Sequence, residues 1–225
     1  MSNILRELSE TVRWHLLVNA TKTALEAQGY SLDRVPGRGL SNIWNISKDG
    51  KTQVASIRTT RNRYIAFPPL ENGSKFKTLD DVDLVAVATV DSKDEPEKLE
   101  IYLFPADEVR KRFKENYVAR TKDGQSIKDN FGMWVALDAK GAGPASSIGT
   151  GIINKYKPIA VYSISNLLAD NIPDATEDDE LNEMNNVAER GFASIAEVMA
   201  WARENVAQLA GVQVEAVKLD LKIEY

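Results

Sequence analysis

The stretch NIWNISKDGKTQVASIRTTRNRYIAF, residues 42–67, decides the fold. Asn42 to Ser47 sets the apolar Ile43, Trp44 and Ile46 against the polar Asn42, Asn45 and Ser47. Lys48-Asp49-Gly50-Lys51 predicts a tight turn, because Asp-Gly tolerates the positive φ that short hairpins need. Thr52 to Thr60 then predicts a second strand, with Val54 and Ile57 buried and Arg58 emerging near its end. Arg58, Arg61 and Arg63 crowd together before the apolar run Tyr64-Ile65-Ala66-Phe67, which Pro68-Pro69 stops.

Outward from this hairpin the periodicity changes. Ile4, Leu5, Leu8, Val12, Leu16, Ala20, Ala24 and Ala27 recur at helical spacing, predicting a helix over 4–28 that Gly29 ends. Trp14 and His15 lie within it. A lone histidine with no motif around it fits a surface or satisfied residue better than a catalytic base. Val35-Pro36-Gly37-Arg38-Gly39 reads as a loop or edge before the hairpin. Asp83 to Val90 is a continuous apolar run, the mark of a strand buried on both faces. Leu99 to Phe104 is a further strand. Pro105-Ala106-Asp107-Glu108 opens a helix, with proline in the first turn and acids at the positive end of the dipole. The order helix, four strands, helix predicts an α/β core: a mixed β-sheet flanked by helices.

That order, with the buried strand entered through Val82-Asp83 and the strand ending Phe104-Pro105 before Glu108-Val109, resembles the PD-(D/E)xK, or restriction-endonuclease-like, superfamily over about residues 4–115. The resemblance implies a nuclease scaffold. It also implies an Asp on one strand and a Glu or Asp two residues before a Lys on the next, which together hold Mg²⁺ for phosphodiester hydrolysis. The matching positions here are Asn42, Ser56 and Arg58. Both carboxylates are missing and the lysine is an arginine. Mg²⁺ needs hard anionic oxygen ligands, and arginine does not act as a base. The site is therefore expected to be degenerate, with no catalytic residue, metal or cofactor assigned. Asp33, Glu7 and Glu10 are the residues from which a relocated site would be rebuilt.

Composition narrows the remaining chemistry. The 225 residues are 43% hydrophobic and 27% charged, ordinary for a globular chain. There is no cysteine and one histidine, which removes thiolate catalysis, cysteine-ligated metal and a His-rich centre. No apolar run approaches the ~20 residues that span a bilayer. The charged N-terminal segment does not read as a signal peptide, so a cytoplasmic location is expected.

The net charge of −5 is unevenly spread. Residues 34–77 hold nine Lys or Arg against Asp49 and Glu71, a net of +7, whereas 170–189 hold eight acids and no base. Arg38, Arg58, Arg61, Arg63, Lys75 and Lys77 are the candidate phosphate-binding residues, with Tyr64 and Phe67 placed to stack. The expected partner is DNA or RNA. The same cluster also fits a solvated edge strand whose charges deter pairing. A protein-interaction module without nucleic-acid binding, and a Mg²⁺-dependent nuclease with relocated carboxylates, are the other readings.

The second half of the chain reads as an elaboration of the core, 119–225 after 1–118. Asn130 to Leu137 predicts a strand. Lys140 to Gly151, a Gly/Ser loop, matches neither common phosphate-loop spacing and predicts a mobile surface loop before a strand at 159–164. The acidic segment 170–190 reads as a linker. Ser194-Ile-Ala-Glu197 is a capping box opening a helix. Val217 to Tyr225 alternates cleanly and predicts a terminal strand that docks on a sheet edge, its own or that of a protein partner or second copy.

Overall fold

The computed structural model of the chain describes residues 8–35, 42–170, 199–200, 202–204, 207 and 214–219. At its centre is the hairpin of β2 (Ile43–Lys48) and β3 (Lys51–Thr60). Asp49 and Gly50 both take positive φ, +52° and +76°, as the two-residue turn requires. The edge strand β1 (Ser31–Arg34) pairs antiparallel on the outer side of β2.

On the other side of β3 lies β7 (Leu84–Val90), paired parallel from Ala55 opposite Leu84 to Thr60 opposite Thr89. Asp83 pins this register. Its carboxylate accepts from the Val54 amide at 2.9 Å, and its own amide donates to the Val54 carbonyl at 2.8 Å. β8 (Lys98–Pro105) and β10 (Ala160–Ser163) continue the sheet antiparallel, giving the order β1-β2-β3-β7-β8-β10. The chain is thus mixed α/β, a six-stranded mixed sheet with helices against it, as its sequence predicts. The apolar run of β7 is buried on both faces because each face is covered.

The first cover is α1 (Glu10–Ala27), capped by the Ser9 hydroxyl, which accepts from the Val12 amide at 3.2 Å. Leu16, Leu17, Ala20 and Ala24 pack on Ala88, Val90, Leu99 and Ile101, while Val18 and Leu25 pack on Ile57 and Ala86. The opposite face carries Ile43, Val85, Val87, Tyr102 and Phe104. It is covered by α2 (Ala106–Lys122) and by two small ribbons. One ribbon pairs β4 (Tyr64–Ala66) with β9 (Trp134–Ala136); the other pairs β5 (Pro69–Leu70) with β6 (Lys75–Phe76). Phe113 of α2 meets Phe67 and Phe76 edge-on, with centroids 5.3 and 5.6 Å apart.

Several expectations change. Arg58 does not emerge: it is largely buried, because the β4–β9 ribbon and Phe67 close over the end of β3. The strand over 130–137 is only Trp134–Ala136. Pro68-Pro69 does not simply end the apolar run, since Pro69 begins β5. The 141–151 loop is tethered rather than mobile. It contains the single turn α3 (Pro144–Ser147), and Asn116 of α2 donates to the carbonyls of Ser146 and Ile148 at 3.2 and 2.7 Å. Arg112 donates to the Thr150 carbonyl at 2.8 Å.

β9 and β10 pair with strands from the first half. The chain forms two compact units, Met1–Ile172, which includes α4 (Ile164–Asp170), and Pro173–Tyr225. Within the second unit, 199–207 is helical where described and Val214–Ala216 forms a 3-10 turn. Arg38, the acidic segment beyond Asp170 and the 194–197 capping box lie outside the described residues. Of the terminal strand expected over 217–225, Val217 to Leu219 take no regular structure and the rest lies outside them. No described helix is long and apolar enough to cross a membrane.

The tether makes a stability prediction. Gly149 takes φ +77°, and a Cβ there falls 2.2 Å from the Arg112 carbonyl oxygen. Gly149→Ala is expected to cost about 2 kcal/mol in urea unfolding, from backbone strain plus the displaced loop. It should also open 141–151 to proteolysis. A variant as stable and protease-resistant as the parent contradicts this packing.

Candidate functional site

Position 58 is on the same face of β3 as Ser56 and Val54, facing the α2 side. That direction carries the Arg58 side chain between layers. Its guanidinium lies over the Phe67 ring, 4.7 Å from the centroid. Its Nε is buried without a hydrogen-bond partner, and among the described residues no carboxylate pairs with it. Desolvation lowers its pKa from the ordinary arginine value, but a guanidinium stays protonated in proteins. The result is a largely buried cation with no counter-ion from the described chain.

Arg58 opens on a groove of about 540 Å³ at the carboxyl end of the parallel pair β3–β7. Arg61, Asn62, Tyr64 and Ala66 line it from the chain leaving β3. Arg13, Trp14 and Leu17 line it from α1, Trp134 from β9 and Lys93 from the β7–β8 turn. Its described lining has four cationic side chains and no carboxylate. Trp14 and Trp134 remain 37% and 53% exposed, far more than the indoles of a packed core.

Arg63 has a different role. At φ +61° it turns back toward the sheet and is 11% exposed. Its Nε donates to Asp138 at 3.0 Å, and its Nη1 donates to Glu100 at 2.9 Å and to the Val90 carbonyl at 2.7 Å. Burial alone lowers the pKa of this guanidinium, but its hydrogen bonds to Asp138 and Glu100 outweigh that and raise it. Tyr102 donates to the same Glu100 oxygen at 2.9 Å. Its phenol is pushed up to about 12, chiefly by burial and then by the neighbouring carboxylate. Arg63 is a strut joining the loop after β3 to β7, β8 and the chain after β9.

The linear basic cluster is therefore not one patch. Arg58 and Arg61 share the groove, whereas Arg63, held by Asp138, Glu100 and the Val90 carbonyl, does not line it. Lys75 lies on the β5–β6 ribbon, paired with Glu71 at 2.7 Å, and Lys77 is exposed just beyond it. Neither lines the groove. Lys48 donates to the Gln28 carbonyl at 2.7 Å, closing the end of α1. Arg13, Trp14, Trp134 and Lys93 are groove residues that sequence reasoning did not join to the cluster. The available signal was a cation beside an indole on the polar side of α1.

Asn42 and Ser56 are not brought together: across the β2–β3 ladder Ser56 pairs with Ile43 and faces the α2 side, whereas Asn42 stands opposite Ile57, whose amide donates to the Asn42 carbonyl at 3.0 Å. Both are sealed from solvent, Ser56 fully and Asn42 at 7% exposure. The Asn42 Oδ1 accepts from the Trp44 indole at 2.6 Å. Asp33 sits on β1 opposite Asn45, Glu10 opens α1, and Glu7 lies outside the described residues. Among the described residues no three His, Cys, Asp or Glu side chains gather into a metal-binding group.

Comparison with family models, curated proteins and solved structures returns no match.

Two measurements check the strut. Removing the cation in Arg63→Gln leaves two carboxylates facing each other. The expected loss in denaturant unfolding is about 1–3 kcal/mol, below the ~3–5 kcal/mol of a fully buried pair, because Glu100 and Asp138 keep 22% and 29% exposure. The Tyr102 phenol has an unfolded pKa of about 10, so between pH 10 and about 12 the unfolded chain has released a proton that the folded chain keeps. Stability from this group is complete below pH 10 and falls as pH rises through that window. Tyr102→Phe should flatten the decline, and an unchanged pH profile contradicts the assignment.

Proposed function

We propose that this chain binds nucleic acid at the groove beneath Arg58, on a nuclease-like scaffold whose catalytic carboxylates have been replaced. The observation that carries this reading is the missing counter-ion of Arg58. Arg63, Arg110 and Arg112 each meet a carboxylate within 3.0 Å, whereas Arg58 meets none among the described residues. A desolvated cation is costly unless something negative completes it. Phosphate suits the place, because the planar guanidinium fork matches two phosphate oxygens and Arg61, Arg13 and Lys93 add charge around it. The overall charge of −5 does not oppose this, since fields act over a Debye length of about 8–10 Å.

The scaffold reading draws support from the order of α1, the β1–β2–β3 meander, β7, β8 and α2. At Asn42 and Ser56, neutral side chains in a closed, partly hydrogen-bonded setting offer Mg²⁺ no anionic oxygen. Binding without strand cleavage is the consequence.

A salt titration of labelled nucleic acid by fluorescence anisotropy tests this, with Arg58→Met and Arg61→Ala beside the parent. Affinity should fall linearly with log salt. Arg61→Ala should reduce the slope by about one. Arg58→Met keeps the packing on Phe67 and removes the unpaired charge, so thermal stability should hold or rise. Its affinity should fall about 10- to 150-fold, the loss of a hydrogen bond to a charged group. No binding at low salt overturns the proposal. So does binding that ignores both substitutions and depends instead on Lys75 and Lys77.

A further inference from the structure

Resting on that reading, we infer that the groove takes a single strand, with an unstacked base against Trp134 and Trp14 and its phosphate on Arg58. The register of the β4–β9 ribbon places Tyr64, Ala66, Trp134 and Ala136 on one side and Ile65 and Val135 on the other, where they enter the core. Trp134 is opposite Ala66, so a large indole stands beside small residues on the groove side.

The ring of Trp134 is placed by its backbone neighbour. It lies against the backbone at Gly132, where an added Cβ meets the indole Cη2 at 2.2 Å. The indole is nonetheless 53% exposed. Trp14 meets His15 edge-on at 4.8 Å and keeps 37% exposure. Tyr64 differs, since Lys140 sits 5.8 Å from its ring centroid. The two indoles are therefore the available aromatic surfaces among the described groove residues.

Exposed indoles among cations suit an unpaired base. In a duplex the base faces are stacked on one another, and a protein meets only phosphates and base edges. A single strand presents the base face itself, and stacking on an aromatic side chain beside backbone-tracking cations is how sequence-tolerant strand binding is built. The size agrees: about 540 Å³ lies within the roughly 300–1,000 Å³ of sites that enclose a small organic ligand. That admits a nucleotide.

The test uses the full chain with four probes at one salt concentration: a short oligothymidylate, an abasic strand of equal length, a duplex of equal length and thymidine monophosphate. Oligothymidylate should bind tighter than the abasic strand and the duplex. Trp134→Ala should weaken oligothymidylate about 5- to 150-fold and leave the abasic strand unchanged. Trp134→Phe should keep most of the preference, and the exposure of Trp134 leaves folding, followed by thermal unfolding, as in the parent. Equal binding of both strands and the duplex, indifferent to Trp134→Ala, overturns the stacking and leaves phosphate binding standing. A tighter duplex overturns the single strand. Thymidine monophosphate binding as tightly as the strand overturns the strand in favour of a nucleotide pocket. No binding of any probe at low salt overturns the underlying nucleic-acid reading as well.

Discussion

The parallel ladder between β3 and β7 is the constraint from which the rest follows. Antiparallel neighbours can be joined by a two-residue turn, as β2 and β3 are. Parallel neighbours need a crossover long enough to return the chain to the starting end. Here the crossover is 61–83, and it holds no long helix. It contains the strut Arg63, half of the β4–β9 ribbon, the ring of Phe67 and the β5–β6 ribbon. Asp83 then fixes the register by a two-way exchange with Val54. The carboxyl ends of β3 and β7 thus share one edge of the sheet, and the groove forms where the crossover departs. In open α/β sheets this is the edge at which ligands bind.

The same layout separates two kinds of arginine. Arg63 reaches back over the sheet and is satisfied by Glu100, Asp138 and a backbone carbonyl, so it serves stability. Arg58 is trapped between β3 and Phe67 and receives no charge in return from the described chain. Evolution rarely keeps an uncompensated cation near a core for stability alone, because a well-packed apolar residue does as well or better. Binding sites are where such local costs persist.

Much of the fold was legible from period and turn chemistry. The Asp49-Gly50 turn, the apolar run of β7 and the Pro105 start of α2 are local signals, and each appears where the sequence put it. The site was less legible because charge density along the chain is not charge density in space. Lys48, Arg63 and Lys75 belong to the linear cluster, yet each has a partner within 3.0 Å that explains it locally. Arg13, Lys93 and Trp134 come from three distant segments, and only the tertiary fold brings them to Arg58 and Arg61. The burial of Arg58 was hidden for a related reason. A late strand position reads as an exit, and nothing local shows that Phe67 folds back over it.

The most direct test of the Arg58 site is side-chain NMR of the arginine guanidinium groups during addition of oligothymidylate. The expected result is a large, saturable shift of the Arg58 guanidinium resonances with slower proton exchange, while those of Arg63, already held by Glu100 and Asp138, stay in place. Saturable binding that leaves the Arg58 resonances unmoved would contradict the central claim and place the ligand elsewhere on the protein.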